Sequence, residues 1–282
     1  MKPAPGEAGY ALVAAVASIA VFAIMALAIM TGTRAAIVQG GAEIARAHAD
    51  AAADAGIALA LQGMLVEDRA FRWSIDGRTR QLRFGDAVLS VRVEDERGKV
   101  PLASLEEEQA VLLFEALGLS GDRLDIVTDS FLDWFDDDDE ARPNGAELDY
   151  YAARRIHARN GRPHTIDELA LIRGFDSALV ERLRPVATLD FGGGSFAPDH
   201  ASPLAIGVMT EGGAGSPEAI SRARELAGQR TAIELGEDID LTGRPLTIVA
   251  EARTAEGGHS VRRVTLEISD MATRTYVVRA SE

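Results

Sequence analysis

The sequence has no cysteine, few aromatic residues and far fewer basic than acidic residues. Without cysteine, the chain cannot form disulfide bonds, use a catalytic thiol or build a thiolate zinc site. The net charge of −15 argues against nucleic acid and anionic lipid headgroups as partners. The five histidines show no zinc-ligand spacing, and neither a glycine-rich phosphate loop nor a serine nucleophile elbow is present. These absences argue against an enzyme.

The longest apolar run extends over residues 10–30 and contains no charged residue. As an α-helix rising about 1.5 Å per residue it would be about 31 Å long, which matches the hydrocarbon thickness of a bilayer. Three interpretations are open: a simple membrane anchor, a prepilin-type helix, or a removed signal peptide with Ala26-Leu27-Ala28 as its cleavage site. The prepilin interpretation requires cleavage between Gly9 and Tyr10, after a short polar leader.

The rest of the sequence predicts an α+β fold. Helical spacing continues past the apolar run to about residue 68, which indicates one long first helix. Strand patterns with hairpin turn signals follow, at residues 72–75, 81–84 and 89–93. Three more strand patterns end the sequence, at residues 246–254, 261–269 and 274–279. We expect both groups of strands to join one antiparallel sheet, with the long helix lying on it.

A region of helical character, residues 104–189, separates the two groups of strands. Ser104 followed by Glu107 is typical of a capping box, and Thr165 is typical of a helix N-cap. The segment from Leu171 to Leu183 resembles a helix-hairpin-helix. Its single hairpin glycine and the acidic chain around it favour a packing motif over phosphate binding. We expect an all-helical subdomain inserted into the sheet domain.

One constellation of acidic residues suggests site chemistry. Calcium takes about six to eight oxygen ligands, and five carboxylates can supply them together with backbone carbonyls: Asp133, Asp136, Asp138, Glu147 and Asp149. The four consecutive aspartates at 136–139 repel one another unless they are solvated or share a cation. The residues alone leave both a calcium site and a solvated acidic loop open.

Two segments, Asp133 to Tyr151 and Asn160 to Phe175, carry a specific resemblance. They resemble the type II secretion minor pseudopilin K family, also called general secretion pathway protein K. The junction at Gly9 and the apolar helix are similar to the same family. Ala14 stands where other pseudopilins have a glutamate, which this family lacks. The segment before Gly9 departs from the family, because it has Glu7-Ala8 where a basic residue is usual.

The resemblance implies a domain order and a processing step. The order is a prepilin leader at 1–9, a transmembrane helix at 10–30, a pilin-like helix with the first strands at 31–103, a helical, SAM-like insertion at 104–190, and a linker with the C-terminal strands at 191–282. Prepilin peptidase would cleave after Gly9, and Tyr10 would then be methylated. The protein would span the inner membrane once, with its C-terminal domain in the periplasm.

The resemblance also implies a role. The chain would be a structural component at the pseudopilus tip that starts assembly for protein export across the outer membrane, with calcium bound in the helical subdomain. Its partners would be the I and J minor pseudopilins, the major pseudopilin and the inner-membrane assembly platform, with a secreted substrate as a further candidate. The main rival is a membrane-anchored, calcium-dependent periplasmic binding protein outside any filament. An exported enzyme ranks third.

Overall fold

A computed structural model describes residues 7–68, 70–210, 240–270 and 275–281. These residues form a mixed helix-and-sheet fold, as the sequence predicts. Residues 1–6 of the expected leader and residues 211–239 of the expected linker lie outside the described ranges, as does residue 274 at the start of the last expected strand.

Helix α1, Glu7–Met64, is the longest element of the fold. Its C-terminal half lies on the sheet through small side chains, including the fully buried Ala49, Ala53 and Ala60. A Cβ atom on Gly56 would come within 2.9 Å of the Cβ atom of Ala250 on the sheet. The small residues therefore allow the helix backbone to approach the strands closely.

The N-terminal half of α1 presents large apolar side chains to its surroundings. Leu12, Phe22 and Leu27 are each between 64% and 70% exposed. Within the described parts of the chain, no helix carries an apolar run of the length that a membrane crossing needs. The transmembrane helix expected at 10–30 therefore stays a prediction.

The main sheet has five antiparallel strands, β1 Arg80–Phe84, β2 Ala87–Asp95, β5 Pro245–Arg253, β6 His259–Ile268 and β7 Tyr276–Ser281. They lie side by side in the order β1-β2-β5-β6-β7. A separate parallel pair joins β3 Val100–Pro101 to β4 Ala187–Thr188. Side chains along β2 point alternately to the two faces of the sheet, so that Leu89, Val91 and Val93 lie in the core under α1 and are fully buried. The opposite face of the sheet carries polar residues such as Thr247 and Thr265.

Strands β2 and β5 are neighbours in the sheet although about 150 residues separate them, with Asp95 opposite Leu246. Between them the chain forms a helical body, defined here as residues 105–209. Its helices are α2 Glu107–Ala116, α3 Asp122–Phe135, α4 Leu148–Ala152, α5 Ser177–Leu183 and α6 Pro203–Met209, with a 3-10 helix at Ile166–Leu171. Phe114, Phe131 and Trp134 lie at the centre of its own hydrophobic core, to which α6 adds Ala205 and Val208.

Buried ion pairs lie where the sheet meets the helical body. Asp95 Oδ2 accepts a hydrogen bond from Arg244 Nε at 2.8 Å, and Arg244 Nη2 lies 2.6 Å from the same oxygen. Lys99 Nζ lies 2.7 Å from Glu96 Oε1 and 2.9 Å from Glu94 Oε2. Burial opposes the charge on Lys99, but the two carboxylates outweigh it, so the pKa of Lys99 is raised. The charges at this junction are therefore compensated within the chain.

Candidate metal centre

The acidic loop lies between the end of α3 and the start of α4. Asp133 occupies the last turn of α3 and faces inward, so that its side chain is completely buried. Its Oδ2 accepts a hydrogen bond from the backbone N–H of Ala146 at 2.8 Å and a longer one from that of Arg142 at 3.2 Å. Burial raises the pKa of Asp133 more than these two N–H groups lower it.

Asp133, Asp136 and Glu147 converge on one point. One carboxylate oxygen from each residue lies within 4.8 Å of the corresponding oxygens of the other two. Asp136 caps the C-terminal end of α3, and Glu147 stands immediately before α4. The cluster therefore joins the end of one helix to the start of the next.

Among the residues that the structure describes, three carboxylate oxygens of this cluster have no hydrogen-bond partner. Glu147 is only 6% exposed, and both of its carboxylate oxygens are buried without a hydrogen bond, as is Oδ1 of Asp136. Burial first, and the neighbouring carboxylates second, raise the pKa of Glu147 to about 7 and that of Asp136 to about 6. Buried, unpaired carboxylate oxygens are costly unless a cation or a proton compensates them.

The donor set fits a hard divalent cation. Calcium binds oxygen at about 2.3–2.6 Å, so two ligands on opposite sides of the ion lie about 4.8 Å apart. The separation observed among the three carboxylates is compatible with that geometry. The cluster contains no nitrogen or sulfur ligand, which makes it a poor zinc site.

Two of the five expected ligands lie outside the cluster. Asp138 is exposed, and its Oδ1 accepts a hydrogen bond from the backbone N–H of Glu140 at 2.8 Å. Asp149 is exposed in the first turn of α4. It lines a cavity of about 380 Å³ that also touches Glu147 and Gly145, so this side of the site is open. The backbone of Gly9 and Tyr10 lies within α1, far along the chain from the cluster.

Several residues that the sequence does not single out shape the loop. Asn144 donates hydrogen bonds from its backbone and side chain to Asp129 Oδ2, at 2.9 and 3.1 Å. Asn160 Nδ2 donates to the backbone oxygen of Asp138 at 2.7 Å. These contacts hold the loop closed against α3 and the segment after α4. The turn sequence Pro143-Asn144-Gly145 is the signal that points to them.

Arg173 connects the loop to the rest of the helical body. Its Nη1 donates to the backbone oxygen of Gly145 at 2.7 Å, and its backbone N–H donates to Tyr151 Oη at 3.2 Å. Tyr151 is buried edge-to-face against Trp134, with ring centroids 5.0 Å apart. The backbone behind the carboxylates is therefore fixed by a packed aromatic core.

Comparisons with known proteins agree on one family. Residues 92–190 match the family model for type II secretion system (T2SS), protein K. Type II secretion system protein K of Pectobacterium carotovorum subsp. carotovorum is 38% identical over 103 residues, which cover 36% of this chain and 29% of the relative. The protein of that name from Klebsiella pneumoniae is 32% identical over 133 residues, covering 44% and 40%. The chain thus spans less than half the length of these relatives.

A solved structure shares the fold. The GspK-GspI-GspJ complex from the type 2 secretion system of enterotoxigenic Escherichia coli contains a chain that matches with a TM-score of 0.54 at 16% identity. The match covers 89% of this chain and 98% of that chain. The family match includes the end of β2, most of the helical body and all three clustered carboxylates. Over residues 92–190 the chain is therefore similar to the type II secretion system protein K family.

Proposed function

We propose that this chain is a minor pseudopilin that occupies the tip of a type II secretion pseudopilus and starts its assembly. The observation that carries the proposal is the insertion of a whole helical body between two adjacent strands of a sheet that lies on one long helix. In a filament of side-by-side helices, a body of this size above the sheet would obstruct a further subunit. The role is structural, and no catalytic step is part of it.

The proposal places the N-terminal half of α1 in the inner membrane and the remainder in the periplasm. Residues 10–30 carry no charge, and side chains such as Leu12 and Phe22 are exposed, as suits contact with lipid or with neighbouring apolar helices. Prepilin peptidase would release the leader after Gly9 and leave Tyr10 as the methylated N-terminus. A glutamate at position 14 would need a cationic partner in these apolar surroundings, and Ala14 needs none.

The proposal assigns calcium to Asp133, Asp136 and Glu147. The buried, unpaired oxygens of Asp136 and Glu147 support the assignment, because a divalent cation would compensate them. Among the described residues, only Arg142 forms an ion pair with the cluster, through its Nε at 3.6 Å from Asp133 Oδ1. The ion supplies positive charge and fixed oxygen geometry. The protein residues hold α3, the loop and α4 in one arrangement around it.

The partners proposed at the tip are the I and J minor pseudopilins, which the name of the similar solved complex pairs with its own K subunit. The test is site-specific crosslinking of the full chain in cells that assemble pseudopili. We expect crosslinks to one copy each of the I and J pseudopilins and immunolabelling at filament ends. Immunolabelling spaced along the filament shaft would rule out a location at the tip. A chain that diffuses freely in the membrane without partners would favour the alternative, a calcium-dependent binding protein outside any filament.

A shortened variant tests the capping role directly. Because Asp95 and Leu246 are register partners, a short turn can replace residues 96–244 without separating β2 from β5. If the helical body caps the filament, the shortened chain should appear within the shaft. The crosslinking of the unaltered chain remains decisive if the variant does not fold.

A further inference from the structure

A cavity of about 290 Å³ lies between the main sheet and the helical body, separate from the acidic loop. The face of the sheet opposite α1 supplies Thr247, Thr265 and Arg263, and the helical body supplies Thr188. The three threonines are between 2% and 7% exposed, so the cavity has built, buried polar walls. Its volume is near the lower end, about 300 Å³, of the range for small-molecule pockets.

Most of the charge around this cavity is already compensated. Lys99 is paired with Glu94 and Glu96, Arg184 with Asp167 and Arg279 with Glu267. The acidic residue Asp190 is paired with Arg162 at 2.6 Å.

Arg263 is the exception. It is half-buried, and among the residues that the structure describes it has no hydrogen bond or ion-pair partner. One guanidinium therefore remains uncompensated in a cavity of an otherwise strongly acidic chain.

The hydroxyl groups in the walls can donate toward the same space. Thr247 Oγ1 and Thr265 Oγ1 lie 2.7 Å apart and share one hydrogen bond, which leaves one hydroxyl hydrogen free. Thr188 Oγ1 accepts from the backbone N–H of Asp190 at 2.9 Å, so its own hydrogen is free as well. The cavity thus combines a guanidinium fork with hydroxyl donors, and the described residues that line it include no unpaired carboxylate.

We propose that this cavity binds a small organic carboxylate. Arg263 provides the planar fork that matches a carboxylate, and the threonine hydroxyl groups donate to its oxygens from the walls. The bound anion neutralises the guanidinium and connects the sheet to the helical body. Neither the acidic loop nor the filament role is involved in this binding.

Isothermal titration of the full chain in detergent with succinate, at constant ionic strength, tests the proposal. We expect saturable binding of one succinate and none of the neutral succinamide. Arg263→Gln should weaken binding by about tenfold or more, because the fork and its charge are lost together. Arg263→Lys, which keeps the charge without the fork, should fall between the two.

The neighbouring arginine provides the matched control. Arg262 points to the other face of the sheet, where it contacts Asp54 of α1 at 3.2 Å. Arg262→Gln should leave succinate binding within about twofold of the unaltered chain, since it removes a cation of equal charge from the wrong face. An unchanged far-ultraviolet circular dichroism spectrum confirms that both variants are folded.

Several outcomes would overturn the assignment. No saturable binding of succinate, or binding that Arg263→Gln leaves unchanged, contradicts it. Binding of inorganic phosphate in place of succinate contradicts the carboxylate class. Equal losses in the Arg262 and Arg263 variants would indicate non-specific attraction to positive charge.

Discussion

Gly145 lies so close to Asp133 that a Cβ atom at position 145 would fall 1.9 Å from Asp133 Oδ2. The glycine is required by this contact and not by its backbone angle, because its φ is not in the left-handed region. The close approach lets the next residue, Ala146, donate its backbone N–H to the same carboxylate. Asp133 is therefore held by the loop backbone mainly through Oδ2, while Oδ1 accepts only a longer hydrogen bond, of 3.3 Å, from the backbone N–H of Arg142.

Gly145→Ala should destabilise the helical body by about 1–3 kcal/mol, the usual cost of forcing an atom into a packed site. It should also weaken ion binding, because Asp133 must move. Chemical denaturation of the full chain measures the first effect and calcium titration the second.

Gly207→Ala is the matched control for that substitution. Gly207 lies within α6, and an added Cβ there would meet nothing within 4 Å. This change should stabilise the chain by about 0.5–1 kcal/mol through helix propensity. If both alanine variants behave alike, the contact between Gly145 and Asp133 does not restrict the loop.

Removing calcium should lower the melting temperature of the full chain. An ion that binds only the folded state stabilises it by about 2.7 kcal/mol when its free concentration is a hundred times the dissociation constant. Thermal unfolding in calcium and in chelator measures the difference. Asp136→Asn combined with Glu147→Gln should abolish it.

Asp149→Asn serves as the control for charge alone, because Asp149 is exposed and lies outside the three-carboxylate cluster. It should keep most of the calcium effect. Equal melting of the unaltered chain with and without calcium would rule out the ion site. A complete loss in Asp149→Asn would place a fourth ligand in α4.

The sequence predicts the elements whose signals are local. The strand patterns at 81–84 and 89–93 are confirmed as β1 and β2, which pair as a hairpin with its turn at Gly85-Asp86. The expectation that the late strands join the early ones is confirmed by the pairing of β2 with β5.

Other local predictions are wrong because tertiary contacts override propensity. Residues 72–75 form no strand, since Trp73 donates its backbone N–H to Gly63 at the end of α1 and packs its ring there. The capping box uses Glu106 and Gln109, two residues after the expected pair. Thr165 precedes a 3-10 helix and makes no side-chain cap.

In the acidic loop, too, the sequence predicts one feature and misses another. Composition identifies the carboxylates, but spacing does not tell which of them meet. Asp133 and Glu147 come together because Asn144 and Gly145 fold the loop back on α3, and Asp138 turns outward to its own local hydrogen bond. Loop closure of this kind depends on contacts distant in sequence.

Without calcium, the stability of the helical body should fall as pH rises from about 5 to 8. The pKa of Glu147 is raised from 4.5 to about 7, so in this range the folded state holds a proton that the unfolded state has lost. The stability contributed by that proton is present at low pH and is lost as the pH rises through the folded pKa, by about 3 kcal/mol in total.

Comparison with Glu147→Gln isolates this effect from other titrating groups. In chelator, the glutamine variant should gain stability relative to the unaltered chain as pH rises. In excess calcium the unaltered chain should show the opposite trend, because protons compete with the ion for the carboxylates. Parallel pH profiles of the two proteins in chelator would show that Glu147 is not buried as a protonated acid.

Cleavage of the leader is predicted to fall between Gly9 and Tyr10. In this position a glycine precedes the uncharged run at 10–30, and the backbone of both residues already lies in α1. Gly9→Val should block processing and leave the full-length chain in the membrane.

Gly6→Val, a control for adding the same side chain within the leader, should still be cleaved. Intact mass of the membrane-extracted protein distinguishes the two forms and detects methylation of Tyr10. A mature chain that begins near residue 29 would instead identify residues 1–28 as a signal peptide, and a pseudopilin anchored by α1 would then be excluded.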